Sequence, residues 1–251
     1  MEQPLDTTRD AFLNGRVHVR QPAQGFRSGL DAVFLAAACP ARSGDAILEA
    51  GCGAGVASLC LLARVSGVAV TGVEADPALA ALARENAAAN GFGECFEAIA
   101  GDVTAPWSAL EGRLRREAYD HVIANPPFYV HGRARLSKDG RNARSRAMEA
   151  GSLGIWLRFL ASAAKPGGTA TVIHTAEAVP QLLDAFEGRF GALRLIPLYP
   201  KAGVPAIRAI LSGTKGSRGP FSLAPGVVLH EEDGTPTSAA KAILRDGVAL
   251  S

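Results

Sequence analysis

An Asn-Pro-Pro-Phe tetrapeptide, Asn125 to Phe128, follows the β-rich run YDHVIA. An exocyclic amine on a purine is a poor nucleophile because its lone pair is delocalised into the ring. The Asn125 amide oxygen and the Pro126 carbonyl can accept both hydrogens of such an amine, localising the lone pair towards an electrophilic carbon. Pro126 and Pro127 hold those acceptors rigid, which favours orientation and electrostatic preorganisation. Phe128 offers a face on which a splayed-out base stacks, worth about 1–3 kcal/mol. The same residues would also make a plain proline turn closing a strand, so the motif needs support from elsewhere in the chain.

Support lies upstream, in Leu48-Glu49-Ala50-Gly51-Cys52-Gly53-Ala54-Gly55. A strand that ends in Gly-x-Gly-x-Gly turns sharply and lets a ligand touch backbone before a helix begins. The dinucleotide fingerprint Gly-x-Gly-x-x-Gly fails, because Val56 follows Gly55. Glu74 ends the next β-rich run, where a carboxylate can accept both hydroxyls of a ribose. Asp102 closes the run after that and is placed to receive an adenine amino group, whereas Asp76 reads as a helix N-cap before Pro77. Three acids at successive strand ends describe a cleft at the carboxyl edge of a sheet. They would repel a pyrophosphate but suit an adenosine carrying a cationic sulfonium.

The elements that must position these groups alternate short β-rich runs with Ala/Leu-rich helical runs. Strands are expected at Ala46 to Ala50, Ala69 to Glu74, Phe96 to Ala100, Tyr119 to Asn125 and Thr169 to Thr175, and within ALRLIPLY and AIRAILSG. Helices are expected over about Val56 to Val65, Pro77 to Asn90, Leu153 to Ala164 (stopped by Pro166-Gly167-Gly168) and Val179 to Arg189. This predicts a doubly wound α/β fold: a seven-stranded, mostly parallel, Rossmann-like sheet with a C-terminal antiparallel hairpin. The expected division is an N-terminal segment with a cofactor-proximal helix (1–45), the main domain (46–216) and a loose C-terminal appendage (217–251).

Composition sets outer bounds. The chain has 251 residues, 48% hydrophobic and 20% charged, with a net charge of +2. That suits a globular core and excludes a wholly basic coat, though not a local basic patch. Cys39, Cys52, Cys60 and Cys95 form no C-x-x-C pair, so no metal site is expected and reduced thiols are. The polar start MEQPLDTTRD lacks an apolar signal core, and no apolar run approaches the roughly 18 residues that span a bilayer. A soluble, cytoplasmic protein is expected.

Taken together, Phe26-Arg27-Ser28-Gly29-Leu30-Asp31-Ala32-Val33-Phe34-Leu35, the Leu48 to Gly55 turn, Asn125 to Phe128, and Ala143-Arg144-Ser145-Arg146 leading to Leu153-Gly154-Ile155-Trp156-Leu157 carry a resemblance. The sequence resembles class I S-adenosylmethionine-dependent methyltransferases with an N-P-P-[YF] motif, in particular the bacterial tRNA1(Val) (adenine-N6)-methyltransferase family. Glu232-Asp233-Gly234 with Thr237 also resembles that family's ending. The resemblance implies S-adenosylmethionine as cofactor, with Ser28 and Asp31 near its methionine end and Glu49, Gly51 and Gly53 along its amino-acid portion. Glu74 would hold the ribose, Asp102 the adenine, and Asn125 would line both cofactor and substrate. Phe128 departs from the more usual Tyr, and no His stands beside Arg144.

Between Arg133 and Arg146 lie six basic residues, Arg133, Arg135, Lys138, Arg141, Arg144 and Arg146, against the single acid Asp139. A cationic segment directly after the motif suits RNA phosphates beside a base pocket, tRNA above all, although a solvated loop is the plainer reading. His121, inside a strand, reads as structural and Trp156 as packing. A protein glutamine-N5 methyltransferase shares the amide logic but usually carries a helical domain ahead of the glycine turn, for which there is little room. Guanine-N2 enzymes acting on ribosomal RNA are usually longer. A non-catalytic RNA-binding module would not need the intact Asn125 motif and acid series.

Overall fold

The computed structural model describes residues 5–127 and 152–250. The proposed catalytic Phe128 and the whole basic run from Arg133 to Arg146 fall outside these residues.

Strands β3 (Ala46–Ala50), β4 (Ala69–Glu74), β5 (Phe96–Ala100), β6 (Tyr119–Ala124) and β7 (Ala164–Thr175) pair in parallel. Strand β9 (Arg208–Lys215) runs antiparallel to both β7 and β8 (Phe190–Tyr199), giving the order β8-β9-β7-β6-β3-β4-β5. The expected seven strands and terminal hairpin are present. Two-residue strands β10 (Ser222–Leu223) and β11 (Val227–Val228) also pair with β8, making nine in this sheet among the described residues. From β3 the chain builds outward through β4 and β5, then returns to the other side of β3 with β6. The carboxyl ends of β3 and β6 therefore flank the switch point where open α/β sheets bind ligands.

Side chains alternate across the sheet as a pleated strand requires. Ile47, Val70 and Ile123 point into one core, with helices α1 (Leu30–Ala38), α2 (Val56–Arg64) and α3 (Pro77–Ala89). Leu48, Val73 and Val122 point into the other, with helix α4 (Ser152–Ala163) and helix α5 (Val179–Phe186). None of the described helices is long and apolar enough to cross a membrane.

The structure adds to three expectations. The first 45 residues hold more than one helix: β1 (Thr7–Phe12) and β2 (Val17–Pro22) form a hairpin turned by Leu13, Asn14 and Gly15 at positive φ. Val17, Val19 and Gln21 are its buried face, an alternation too short to stand out in the sequence. The C-terminal segment is not loose. Val227, Leu229 and Ile243 enter the first core, helix α6 (Ser238–Leu244) packs on α1, and the Leu250 amide donates to the Ala37 carbonyl at 2.8 Å. Finally, Pro166-Gly167-Gly168 lies inside β7, across a register shift against β6, because a bulge accommodates residues that a regular ladder rejects.

Candidate functional site

In the sheet register Ala50, the last residue of β3, sits opposite Ala124, the last of β6. The glycine turn and the Asn125 motif thus leave the sheet side by side. The amides of Gly51 and Cys52 donate to the Val73 carbonyl at 2.8 and 3.1 Å, which ties the turn to β4. Gly51 has φ +68°, and a Cβ there would lie 2.6 Å from the ring of Trp156, so it leaves room for that indole. Gly53 differs: at φ +55° a Cβ would meet nothing within 4 Å, so its backbone lies open to a ligand.

The Gly53 amide donates to Glu74 Oε2 at 2.8 Å and the Asp76 amide to Glu74 Oε1 at 3.0 Å. The Glu74 carboxylate is thereby fixed at the lip of the turn, each oxygen keeping lone pairs for a diol. Burial raises its pKa, against those backbone bonds. Asp76 caps α3 as expected, accepting from the Ala78 amide at 2.9 Å with Pro77 following. Asp102 accepts from the amide and hydroxyl of Thr104 at 2.8 and 2.6 Å through Oδ1. Its Oδ2 has no partner among the described residues.

Glu49 does not lie on the cleft surface. It is 3% exposed and accepts from the Ser58 amide at 3.0 Å and from the Ser58 hydroxyl. Ser58 belongs to the first turn of α2, so the carboxyl caps that helix from beneath the glycine turn. Burial pushes its pKa up to about 7.

On the β6 side, Asn125 Oδ1 is buried and has no hydrogen-bond partner among the described residues. A buried acceptor left unmade costs about 1–3 kcal/mol. Pro126 is buried and Pro127 half-buried, so the acceptor is held in a rigid, desolvated frame. Ser28 is half-buried just ahead of α1, its backbone held by Gln21. On α1, Asp31 Oδ2 accepts from Arg208 Nε at 2.9 Å while Oδ1 is buried without a partner among the described residues. Arg208 was invisible to sequence reasoning, since 177 positions separate it from Asp31 and no local pattern marks it. His121 is structural as expected, bonded to Thr169 at 2.7 Å and Asp45 at 3.0 Å. Trp156 is buried against the glycine turn, in its expected packing role.

These residues fit a phosphate-free nucleoside with a cationic tail. An open glycine backbone lies beside a fixed carboxylate, a further acid stands at the next strand end, and two desolvated oxygens lack donors among the described residues.

The methyltransferase small domain model matches residues 29–156, from the start of α1 through the glycine turn and Asn125 to Trp156. A tRNA1(Val) (adenine(37)-N6)-methyltransferase of Aeromonas hydrophila is 30% identical over 231 residues, covering 89% of this chain and 91% of that protein. The like-named protein of Porphyromonas gingivalis is 33% identical over 124 residues, and the match spans only 48% of its length. Among solved structures, a predicted O-methyltransferase of Agrobacterium tumefaciens superposes with a TM-score of 0.74 at 25% identity, covering 88% of this chain and 98% of that one. The chain belongs to the methyltransferase small domain family, with the class I fold, and is kin to the bacterial tRNA1(Val) (adenine-N6)-methyltransferases.

Proposed function

We propose that this protein transfers a methyl group from S-adenosylmethionine to the exocyclic N6 amine of an adenosine in RNA, specifically tRNA. The observation that carries this reading is Asn125 Oδ1: a buried acceptor without a donor among the described residues, beside an open glycine turn, in a family of methyltransferases. The names of the curated relatives support tRNA adenine as the substrate.

The cofactor supplies an electrophilic methyl carbon on a sulfonium. Glu74 accepts the ribose hydroxyls, Asp102 the adenine amino group, and the backbone of Gly51 and Gly53 approaches the amino-acid portion. Ser28 and Asp31 face the methionine end, where the Arg208-anchored carboxylate accepts from an ammonium. Glu49 acts from beneath, holding the turn through Ser58. Asn125 Oδ1 and the Pro126 carbonyl accept the two amine hydrogens of the target base, and Phe128 stacks against it. The lone pair then points at the methyl carbon rather than into the ring. No side chain need act as base, because the alkylated amine sheds its proton to water. Arg133, Arg135, Lys138, Arg141, Arg144 and Arg146 hold the RNA phosphates.

The test is transfer of labelled methyl from S-adenosylmethionine to total RNA and, separately, to total protein, followed by nucleoside analysis. Label in N6-methyladenosine is the expected result. Label in protein glutamine or in N2-methylguanosine would overturn the adenine assignment.

A further inference from the structure

We propose that the β1–β2 hairpin is a bracket joining the two walls of the cofactor cleft, with Gln21 and Asn86 as its positioning residues. This rests on the reading of that cleft as an S-adenosylmethionine site.

Strand β2 pairs with β1 along one edge only, which leaves a row of main-chain groups along the other. Helix α3 completes that edge with side chains. Four residues of helix rise about 6 Å and two residues of strand about 6.7 Å, so amides one helical turn apart can match alternate strand residues. Asn86 Oδ1 accepts from the Arg20 amide at 2.9 Å and Asn86 Nδ2 donates to the Arg20 carbonyl at 2.9 Å. Asn90 does the same at His18, accepting its amide at 2.9 Å and donating to its carbonyl at 2.6 Å. The two asparagines thus substitute for a missing strand.

Only one of the pair reaches the cleft. Asn86 is 2% exposed, and its Nδ2 donates a second bond, at 3.0 Å, to the carbonyl of Ala54 inside the glycine turn. The neighbour of Arg20 makes the opposite connection. Gln21, also 2% exposed, accepts from the Ser28 amide at 2.8 Å and donates to the Ser28 carbonyl at 3.1 Å. Consecutive residues of β2 therefore fix the glycine turn on one side and the entry to α1 on the other. Residues 20 and 21 set the distance between walls that come from distant parts of the chain. Each buried amide is also bonded through both its oxygen and its nitrogen, so neither can shift without leaving an unmade bond.

Binding of S-adenosylhomocysteine by calorimetry, alongside melting temperature, separates bracing from mere stability. Asn86→Ala and Gln21→Ala are expected to weaken binding about tenfold, the equivalent of one lost bond. Asn90 grips the hairpin without touching the turn, so Asn90→Ala is the control. It should lower the melting temperature comparably while leaving the dissociation constant within about twofold. Equal weakening by all three variants, or by none, would overturn the bracket. If the cleft variants do not fold, hydrogen exchange on the wild-type protein decides. Saturating S-adenosylhomocysteine should slow exchange of the Arg20 and Ser28 amides while leaving that of His18 nearly unchanged, and unchanged exchange at Arg20 and Ser28 would overturn the proposal. A wild-type protein that binds no S-adenosylhomocysteine would overturn the cleft reading itself, and the bracket with it.

Discussion

The two sides of the cleft differ in whether their unmet hydrogen-bonding capacity is buried. On the β4–β5 side, Glu74 and Asp102 already hold hydrogen bonds from their own chain, to the amides of Gly53 and Asp76 and to Thr104. On the β6–α1 side, Asn125 Oδ1 and Asp31 Oδ1 are buried with no donor among the described residues. A satisfied acid is placed before the ligand arrives, so it serves binding at little reorganisation cost. On the proposed reading, an acceptor left without a donor gains one when a ligand amine occupies the site. That is where a catalyst benefits from interactions realised at the reacting group. Among the described residues, preorganisation thus lies on one wall and buried, unmet hydrogen-bonding capacity on the other.

The comparison breaks most easily at Asn125. Asn125→Ala is expected to lower the methylation rate at saturating substrates by about 10²–10³-fold or more, as when one preorganised polar group is removed from an active site. Its dissociation constant for S-adenosylhomocysteine should stay within about twofold, and its melting temperature should hold or rise, because the variant lacks an unmet acceptor. A large loss of cofactor binding would place Asn125 on the wrong side of the contrast.

Glu74→Ala should do the reverse. About 10–100-fold weaker cofactor binding is expected, from the loss of charged hydrogen bonds to the diol, together with a lower melting temperature. Turnover at saturating cofactor should recover most of the wild-type rate. Calorimetry that finds an unchanged dissociation constant would remove Glu74 from the ribose site.

Glu49 sharpens the contrast between an acid that faces the cleft and one that supports it. Its pKa of about 7 in the fold lies above the ordinary carboxyl value of 4.5. Between those two values the folded state keeps a proton that the unfolded state has lost, so stability falls as pH rises from about 4.5 to 7 and then levels. Glu49→Gln keeps an acceptor for Ser58 and titrates nothing. Its melting temperature relative to wild type should therefore climb through that window, as read by thermal scans at pH 5, 6 and 7.5. A constant difference would mean that the buried carboxyl stays ionised. The smallest effect concerns the RNA: raising salt from about 50 to 200 mM should raise the KM for RNA while leaving cofactor affinity nearly unchanged.

Much of the β4–β5 wall was legible because its determinants are local. A glycine run after a β-rich segment, an acid at the end of the next, and Asp76-Pro77 opening a helix act over a few residues, and the backbone must obey them wherever the segment lies. The Asn125 motif was legible for the same reason, down to its place at a strand end. Glu49 was legible as an acid but not in its direction, since whether a carboxyl faces ligand or the end of α2 depends on where Ser58 arrives. The seven-strand count was readable from alternation, whereas the bulge in β7 was not, because its glycines signal an end as readily as a kink.

What the chain by itself determined is therefore the chemistry on offer: the amide, the acids, the open turn and the order in which strands present them. What only the tertiary structure decided is which of those groups are satisfied. Asp31 meets Arg208 across 177 positions, Asn86 reaches Arg20 across 66, and the tail after Gly216 closes on α1. Such partners are chosen by the packing of two cores on a twisted sheet rather than by neighbouring residues. A hydrogen bond needs atoms within about 3 Å, and sequence carries distance reliably only within a turn or two of a helix or strand.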